Sequence, residues 1–133
     1  MVGETTLNRA SCVAESRVLV VDDDRDAALA LSTLLAATGN KARIAHDGLE
    51  AIAAAAEFRP ALILMDIAMP GLDGCEAARR IRAKPWGKDV TIAALTGWNR
   101  DDVREWAKKA GFDYYFLKPF DIAKLQEVLA NQS

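Results

Sequence analysis

Five short apolar runs follow one another along the chain after position 16, and segments with apolar residues at helical spacing separate them. Most of these runs are apolar at successive positions, which is typical of strands buried on both faces of a sheet. The predicted strands are 18–21, 41–46, 61–65, 90–95 and 114–117. The predicted helices are 27–35, 48–58, a helix after Asp73, 100–110, and a last helix from Asp121 to about Asn131. Strict alternation of strands and helices predicts a parallel sheet covered by helices on both faces.

Capping residues support these helix boundaries. Asp47 is followed three residues later by Glu50, and Asp73 by Glu76. This spacing resembles a capping box, in which the first side chain accepts a backbone N–H of the first turn. Gly39 follows the first helical segment, where a glycine commonly ends a helix.

The chain has 133 residues, a length that fits one domain. Residues 1–16 are polar and aperiodic and are interpreted as an N-terminal tail or linker. The remaining residues, 17–131, are expected to form a single α/β domain, doubly wound around a five-stranded sheet.

Composition excludes several classes of protein. The charged residues are 17 Lys and Arg against 19 Asp and Glu, with no basic cluster, so a nucleic-acid partner is not expected. The apolar runs are too short to cross a membrane, and no secretion signal opens the chain. The two cysteines, Cys12 and Cys75, are too few for a disulfide framework or a zinc site and are expected to be free thiols. These features together indicate a cytoplasmic domain without a membrane partner.

Polar side chains stand where the predicted strands end. Asp22 and Asp23 follow the first strand and Asp66 the third, while Thr96 follows the fourth and Lys118 the fifth. In a parallel sheet these carboxyl ends share one edge, where ligands of open α/β sheets bind. We therefore expect the five side chains to gather at one site.

The chemistry of that site depends on the order of the strands. With the order 2-1-3-4-5, the first and third strands are neighbours about 4.8 Å apart, and their acidic residues converge. Two carboxylates about 4 Å apart repel by roughly 4 kcal/mol at an effective dielectric constant near 20, so the cluster requires either a cation or raised pKa values. Oxygen ligands with open positions suit Mg²⁺. With Lys118 and Thr96 nearby, the set indicates phosphoryl transfer, with Asp66 as the nucleophile.

Four segments carry a resemblance to the receiver domain of bacterial response regulators. They occur in order and at suitable spacing, and the resemblance covers roughly residues 17–131. The segments are Val20-Val21-Asp22-Asp23-Asp24, Met65-Asp66-Ile67-Ala68-Met69-Pro70-Gly71-Leu72-Asp73-Gly74, Leu95-Thr96-Gly97 and Leu117-Lys118-Pro119-Phe120. The resemblance implies a flavodoxin-like fold and a signalling switch operated by phosphorylation.

The resemblance also assigns the acceptor and the metal ligands. Asp66 would accept a phosphoryl group from the phospho-His of a sensor histidine kinase or a phosphotransfer protein. Asp23 and Asp66 would bind Mg²⁺ through their side chains, Asp22 through a water molecule, and Ala68 through its backbone carbonyl. Ala68 departs from the family pattern, in which this position is commonly polar, and this leaves the rate of dephosphorylation open.

Three further residues take roles from the same resemblance. Thr96 and Lys118 would hold the phosphoryl oxygens. Tyr115 would be the switch aromatic, turning inward as Thr96 moves toward the new charge. The face formed by the fourth strand, the fourth helix and the fifth strand would then bind a downstream protein partner, which the sequence does not identify.

Other functions remain open at this stage. A phosphorylation-independent interaction module would use the same fold, and an aspartate-nucleophile phosphohydrolase also uses Asp, Lys and Mg²⁺. Such hydrolases carry a second acid two residues after the nucleophile, where this chain has Ala68, so a turnover enzyme is not expected. The domain is either a stand-alone receiver or the C-terminal receiver of a hybrid sensor kinase.

One aromatic residue belongs to a helical pattern rather than to the site. Val103, Trp106, Ala107 and Ala110 recur at helical spacing, and we expect all four to pack in the core.

Overall fold

The computed structural model describes residues 16–67, 73–97 and 100–118, together with Ala123 and Glu127. Within residues 16–67, 73–97 and 100–118, five strands alternate with four α-helices and one short 3₁₀ turn at Pro85–Gly87. The strands are β1 (Arg17–Val21), β2 (Lys41–Ala45), β3 (Leu62–Asp66), β4 (Thr91–Thr96) and β5 (Tyr114–Leu117). The helices are α1 (Arg25–Ala37), α2 (Gly48–Phe58), α3 (Gly74–Arg82) and α4 (Asp101–Ala110). The predicted strands are each reproduced to within one residue at either end.

The strands form one sheet in the order β2-β1-β3-β4-β5, and every neighbouring pair is parallel. The predicted doubly wound α/β architecture is thereby confirmed. Because side chains alternate across a strand, the core divides into two layers. Leu19 and Ile63 point to the face covered by α2, α3 and α4, whereas Val20 and Leu64 point to the face covered by α1.

Aspartate caps begin three of the helices. The side chain of Asp24 accepts the amides of Asp26 and Ala27 at the start of α1. The two predicted caps are confirmed, since Asp47 accepts from the Glu50 amide at 2.7 Å and Asp73 accepts from the Glu76 amide at 2.9 Å. A carboxylate at this position satisfies a backbone N–H that has no partner within the helix.

The expectation for Trp106 was wrong. Val103, Ala107 and Ala110 are buried in α4, but Trp106 is 37% exposed. The helix turns by about 100° per residue, so positions 103, 107 and 110 define one narrow stripe and position 106 lies about 70° from its centre. Trp106 therefore lies beside the buried stripe and is partly exposed to solvent.

Two sequence predictions lie mainly outside the described residues. The N-terminal tail is one of them, apart from Ser16, whose carbonyl accepts the Lys41 amide at 2.9 Å and continues the pairing of β1 with β2. The last predicted helix is the other, apart from Ala123 and Glu127, which are both helical. In the part of the chain that the structure describes, no helix has the length and hydropathy needed to cross a lipid bilayer.

Arg82 binds the amino-terminal edge of the sheet, opposite the predicted site. Its guanidinium donates to the carbonyls of Gly87, at 3.0 Å, and Gly111, at 2.8 Å, and forms a 2.7 Å ion pair with Asp113. The same Asp113 carboxylate accepts the amide of Ile92 at 2.9 Å. One side chain at the end of α3 thus joins the segments that lead into β4 and β5.

Candidate functional site

The three predicted acidic residues meet at the carboxyl edge of the sheet. Asp66 is the last residue of β3, and Asp22 and Asp23 directly follow β1, its neighbour. One carboxylate oxygen from each lies within 4.8 Å of the others. Asp22 and Asp66 are buried, with 5% and 8% of their surface exposed, whereas Asp23 is exposed. Burial on one side and solvent on the other leave one open direction from which a ligand can approach.

Lys118 supplies the positive charge expected at this edge. Its Nζ atom lies 3.3 Å from Oδ2 of Asp22 and 3.4 Å from Oδ2 of Asp66. The backbone amide of Lys118 donates to the carbonyl of Thr96 at 2.8 Å, which fixes the lysine directly beyond the paired ends of β4 and β5. Burial lowers the pKa of the ammonium, but the carboxylates of Asp66 and Asp22 outweigh it, so the pKa is raised.

The backbone around Asp22 is fixed by hydrogen bonds. Its Oδ1 atom accepts the amide of Asp24 at 3.0 Å, and its own amide donates to the carbonyl of Ala45 at 3.1 Å. The Nδ1 atom of His46 lies 3.3 Å from the Asp22 carbonyl oxygen. The sequence alone indicates no role for His46, because its position beside Asp22 depends on the register between β1 and β2.

Gly74 packs directly against the backbone of the predicted acceptor. Its amide donates to the carbonyl of Ile67 at 3.1 Å. A Cβ atom at this position would lie 2.5 Å from the Asp66 carbonyl oxygen and 2.9 Å from the Ile67 Cα. No other residue type fits without a backbone shift, so Gly74 is a site residue that the sequence analysis missed. Its place directly after the Asp73 cap was the available signal.

Thr96 and Tyr115 form the next layer of the site. Thr96 is 1% exposed at the last position of β4, and its side chain is hydrogen-bonded to that of Tyr115 on β5. Burial raises the pKa of Tyr115, despite the opposing charge of Arg104 and the hydrogen bond with Thr96. The phenol is therefore neutral near neutral pH and keeps its proton for hydrogen bonding.

The described geometry fits a small, hard cation. Three carboxylates supply only oxygen atoms, and Asp23 remains exposed on the open side of the cluster. Such a donor set matches the preference of Mg²⁺ for oxygen ligands and for retained water molecules. Ala68, the fourth predicted ligand, lies outside the described residues.

A small apolar cavity adjoins the acidic cluster. It measures about 220 Å³, and Asp22 and Lys118 form its polar side. Its apolar lining consists of Leu95 and of residues of α1, among them Leu31 and Leu34. An apolar surface of α1 therefore lies next to Asp22 and Lys118.

Comparison with known proteins assigns the family. The model of the response regulator receiver domain matches residues 18–130. This chain belongs to the response regulator receiver family. Receiver domains are the phosphorylation-operated switches of two-component systems, interact with histidine kinases, and are in general not turnover enzymes.

Relatives of the receiver domain include several mycobacterial response regulators. The response regulator MprA of Mycobacterium avium (strain 104) is 40% identical over 114 residues, which cover 86% of this chain and 48% of that protein. MprA of Mycobacterium tuberculosis (strain ATCC 25618 / H37Rv) is also 40% identical over 114 residues, with 86% and 47% covered. The chain thus spans about half the length of these relatives.

Solved receiver structures share the fold. The receiver domain of sensor histidine kinase PA1611 from Pseudomonas aeruginosa PAO1 has a TM-score of 0.81 and 35% identity, covering 89% of this chain and 97% of that one. That structure contains a magnesium ion coordinated in its active-site cleft. Chemotaxis protein CheY4 of Vibrio cholerae has a TM-score of 0.83 and 28% identity, with 90% and 99% covered.

Proposed function

We propose that Asp66 of this receiver domain accepts a phosphoryl group from the phospho-His of a sensor histidine kinase or phosphotransfer protein, in a reaction that requires Mg²⁺. The observation that carries the proposal is the position of the Asp66 carboxylate. Asp66 is the last residue of a central strand, and one of its carboxylate oxygens lies within 4.8 Å of those of Asp22 and Asp23. Its Oδ2 atom is 3.4 Å from the Nζ atom of Lys118. We expect this reaction to take place in the cytoplasm, where ATP-dependent kinases supply phosphoryl groups.

The transfer would proceed by in-line displacement at phosphorus. A carboxylate oxygen of Asp66 forms the new P–O bond while the P–N bond to the imidazole breaks, and the released nitrogen takes a proton from solvent. Charge spreads over the equatorial phosphoryl oxygens as the bonds exchange. The Lys118 ammonium is held beside the Asp66 carboxylate, and the Thr96 hydroxyl ends the neighbouring strand. Both groups would stabilise those oxygens.

Magnesium would add a further positive charge to the same edge. We assign Asp23 and Asp66 as side-chain ligands, Asp22 as a ligand through water, and the Ala68 carbonyl as the fourth protein ligand. The donor chemistry of the described carboxylates and the magnesium ion in the PA1611 receiver support this assignment. When bound, the ion would neutralise both the carboxylates and the phosphoryl oxygens that approach them.

The response to phosphorylation would begin at Thr96. A phosphoryl group on Asp66 accepts hydrogen bonds, so it would attract the Thr96 hydroxyl, and the hydrogen-bonded Tyr115 would follow. The resulting change in the surface formed by β4, α4 and β5 would alter the binding of a downstream protein. We do not expect multiple turnover, because position 68 carries an alanine where hydrolases of this chemistry place an acid.

Intact-mass measurement tests the proposal. The protein is incubated with Mg²⁺ and acetyl phosphate, a small phosphodonor, and the expected result is the addition of one phosphoryl group. Asp66→Ala should gain none, whereas Asp89→Ala, which removes an exposed carboxylate from the other edge of the sheet, should react like the wild type. Absence of modification in the wild type, or full modification of Asp66→Ala, would overturn the assignment.

A further inference from the structure

An arginine covers the ring of the proposed switch tyrosine. The Cζ atom of Arg104, on α4, lies 4.6 Å from the centroid of the Tyr115 ring on β5. A guanidinium within about 6 Å of an aromatic centroid is attracted by the negative face of the ring. This contact connects the helix of the proposed output surface with the residue that would report phosphorylation to it.

Tyr115 is held at both of its ends. Its polar end is hydrogen-bonded to the buried Thr96 side chain, and its ring packs against the core layer beneath α3 and α4. The cation–π contact with Arg104 adds a third restraint on the orientation of the ring. The three restraints together fix the position of the hydroxyl relative to Thr96.

The position of the Tyr115 hydroxyl matters because the phosphoryl group, Thr96 and Tyr115 share few hydrogen-bond donors. A phosphoryl group on Asp66 accepts hydrogen bonds only, and the Thr96 hydroxyl has a single proton to give. Once Thr96 donates that proton to a phosphoryl oxygen, its bond with Tyr115 persists only if the phenol O–H is the donor. A cation over the ring withdraws electron density and makes the phenol a better donor, so Arg104 favours the arrangement that Thr96 requires.

We propose that Arg104 is a positioning residue of the phosphorylation site, which orients Tyr115 so that its hydroxyl donates to Thr96 and strengthens binding of the phosphoryl group. This inference rests on the proposed function of Asp66. The titration behaviour of Tyr115 agrees with the geometry, because the charge of Arg104 lowers the pKa of a phenol that burial raises overall.

Beryllofluoride, a phosphoryl mimic, measures the effect at saturating Mg²⁺. Its affinity is followed by ¹⁹F NMR of the bound fluorides. We expect R104Q to weaken binding by about two- to five-fold, the range of a cation–π contact near the surface. R104K keeps the charge and should recover most of the affinity. K109Q removes an exposed charge from the same helix and should bind like the wild type.

Double substitution separates positioning from a general structural role. Tyr115→Phe keeps the ring and removes the hydroxyl, so R104Q should cause no further loss in that background. The absorbance of tyrosinate provides a second readout, since R104Q should raise the pKa of Tyr115 and K109Q should leave it unchanged. Equal affinity of R104Q and the wild type, or additive losses in the double variant, would overturn the role of Arg104. Failure of the wild type to bind beryllofluoride would instead overturn the proposed function.

Discussion

Gly74 and Asp66 are in backbone contact, with space for a hydrogen atom and not for a methyl group between the Gly74 Cα and the Asp66 carbonyl oxygen. A Cβ atom on Gly74 would lie only 2.5 Å from that oxygen. The first turn of α3 is thereby packed onto the end of β3 at the residue proposed to carry the phosphoryl group. The position of the acceptor thus depends on a contact in which its own side chain takes no part.

Replacement of Gly74 by alanine should disturb both stability and phosphorylation. The methyl group must displace backbone, and overpacking of this kind costs about 1–3 kcal/mol. We expect a lower free energy of unfolding in chemical denaturation and slower acceptance of a phosphoryl group from acetyl phosphate. Gly97→Ala is the matched control, because a Cβ at that position meets no atom within 4 Å. Wild-type behaviour of Gly74→Ala would show that the contact relaxes freely.

The ion pairs of Lys118 should make stability depend on pH in the alkaline range. The raised pKa means that the folded state binds the ammonium proton more tightly than the unfolded state, whose pKa is near 10.5. The stabilisation is therefore complete below pH 10.5 and declines as the pH rises through the higher folded-state value. It should amount to about 0.5–1 kcal/mol, because the side chain is 37% exposed.

Denaturation of the wild type and of Lys118→Met, both in the presence of a chelator, measures this contribution. The difference in unfolding free energy should be constant from about pH 7 to pH 10 and should shrink at higher pH. A difference that persists unchanged through the folded-state pKa would contradict the assigned ion pairs.

Cys75 should be unreactive while the protein is folded. The side chain is fully buried in the core, and burial, with a smaller contribution from the Asp73 carboxylate, raises the pKa of its thiol to about 12. Thiolate is the reactive form, and at pH 8 only about one molecule in ten thousand would carry it. In a Cys12→Ser background, modification by a disulfide reagent should be slow in buffer and complete in guanidinium chloride. Rapid labelling of the folded protein would contradict this prediction.

The apolar surface of α1 should affect the rate of phosphoryl transfer from a protein donor and not from a small-molecule donor. Leu34 is 50% exposed and lines the cavity that Asp22 and Lys118 share. We expect a phospho-His protein to cover this region when it brings its phosphorus to Asp66, and burial of a leucine contributes about 1.5–3 kcal/mol. Leu34→Gln should therefore slow transfer from a phosphorylated kinase or phosphotransfer domain about tenfold.

Two comparisons make that result specific. Leu34→Gln should react with acetyl phosphate at the wild-type rate, because a small donor needs no docking surface. Leu49→Gln changes a leucine that is 64% exposed on α2, across the sheet from α1, and should leave both reactions unchanged. Equal losses with both donors would indicate damage to the site, and equal losses in both variants would indicate a nonspecific effect.

The gathering of the charged site residues was predictable from the sequence. Strands buried on both faces appear as continuous apolar runs, so the residue that ends each run is visible, and parallel strands end at one edge. Asp22, Asp66 and Lys118 follow this rule. The Nζ atom of Lys118 lies within 3.4 Å of a carboxylate oxygen of each aspartate. The strand order, which decides that β1 and β3 are neighbours, does not follow from the runs themselves and entered the prediction as a condition.

Contacts between elements were not predictable in the same way. The role of Gly74 depends on how closely α3 approaches β3, and that distance is a property of packing. The contact between Arg104 and Tyr115 joins residues on different elements, whose relative orientation no periodicity encodes. Trp106 fits the helical spacing but lies at the edge of the buried stripe of α4. Its exposure was not predictable, because a few apolar positions do not define the centre of a buried helix face.

The binding of Arg82 at the amino-terminal edge has a mechanical consequence for the opposite edge. Its guanidinium binds the segments entering β4 and β5, whereas Thr96 and Lys118 lie at the carboxyl ends of the same two strands. The two strands are therefore connected through Arg82 at their amino-terminal ends. We therefore expect a displacement that begins at Thr96 to be largest at the carboxyl edge and to decrease toward Arg82, so that the conformational response stays on the side of the proposed phosphorylation site.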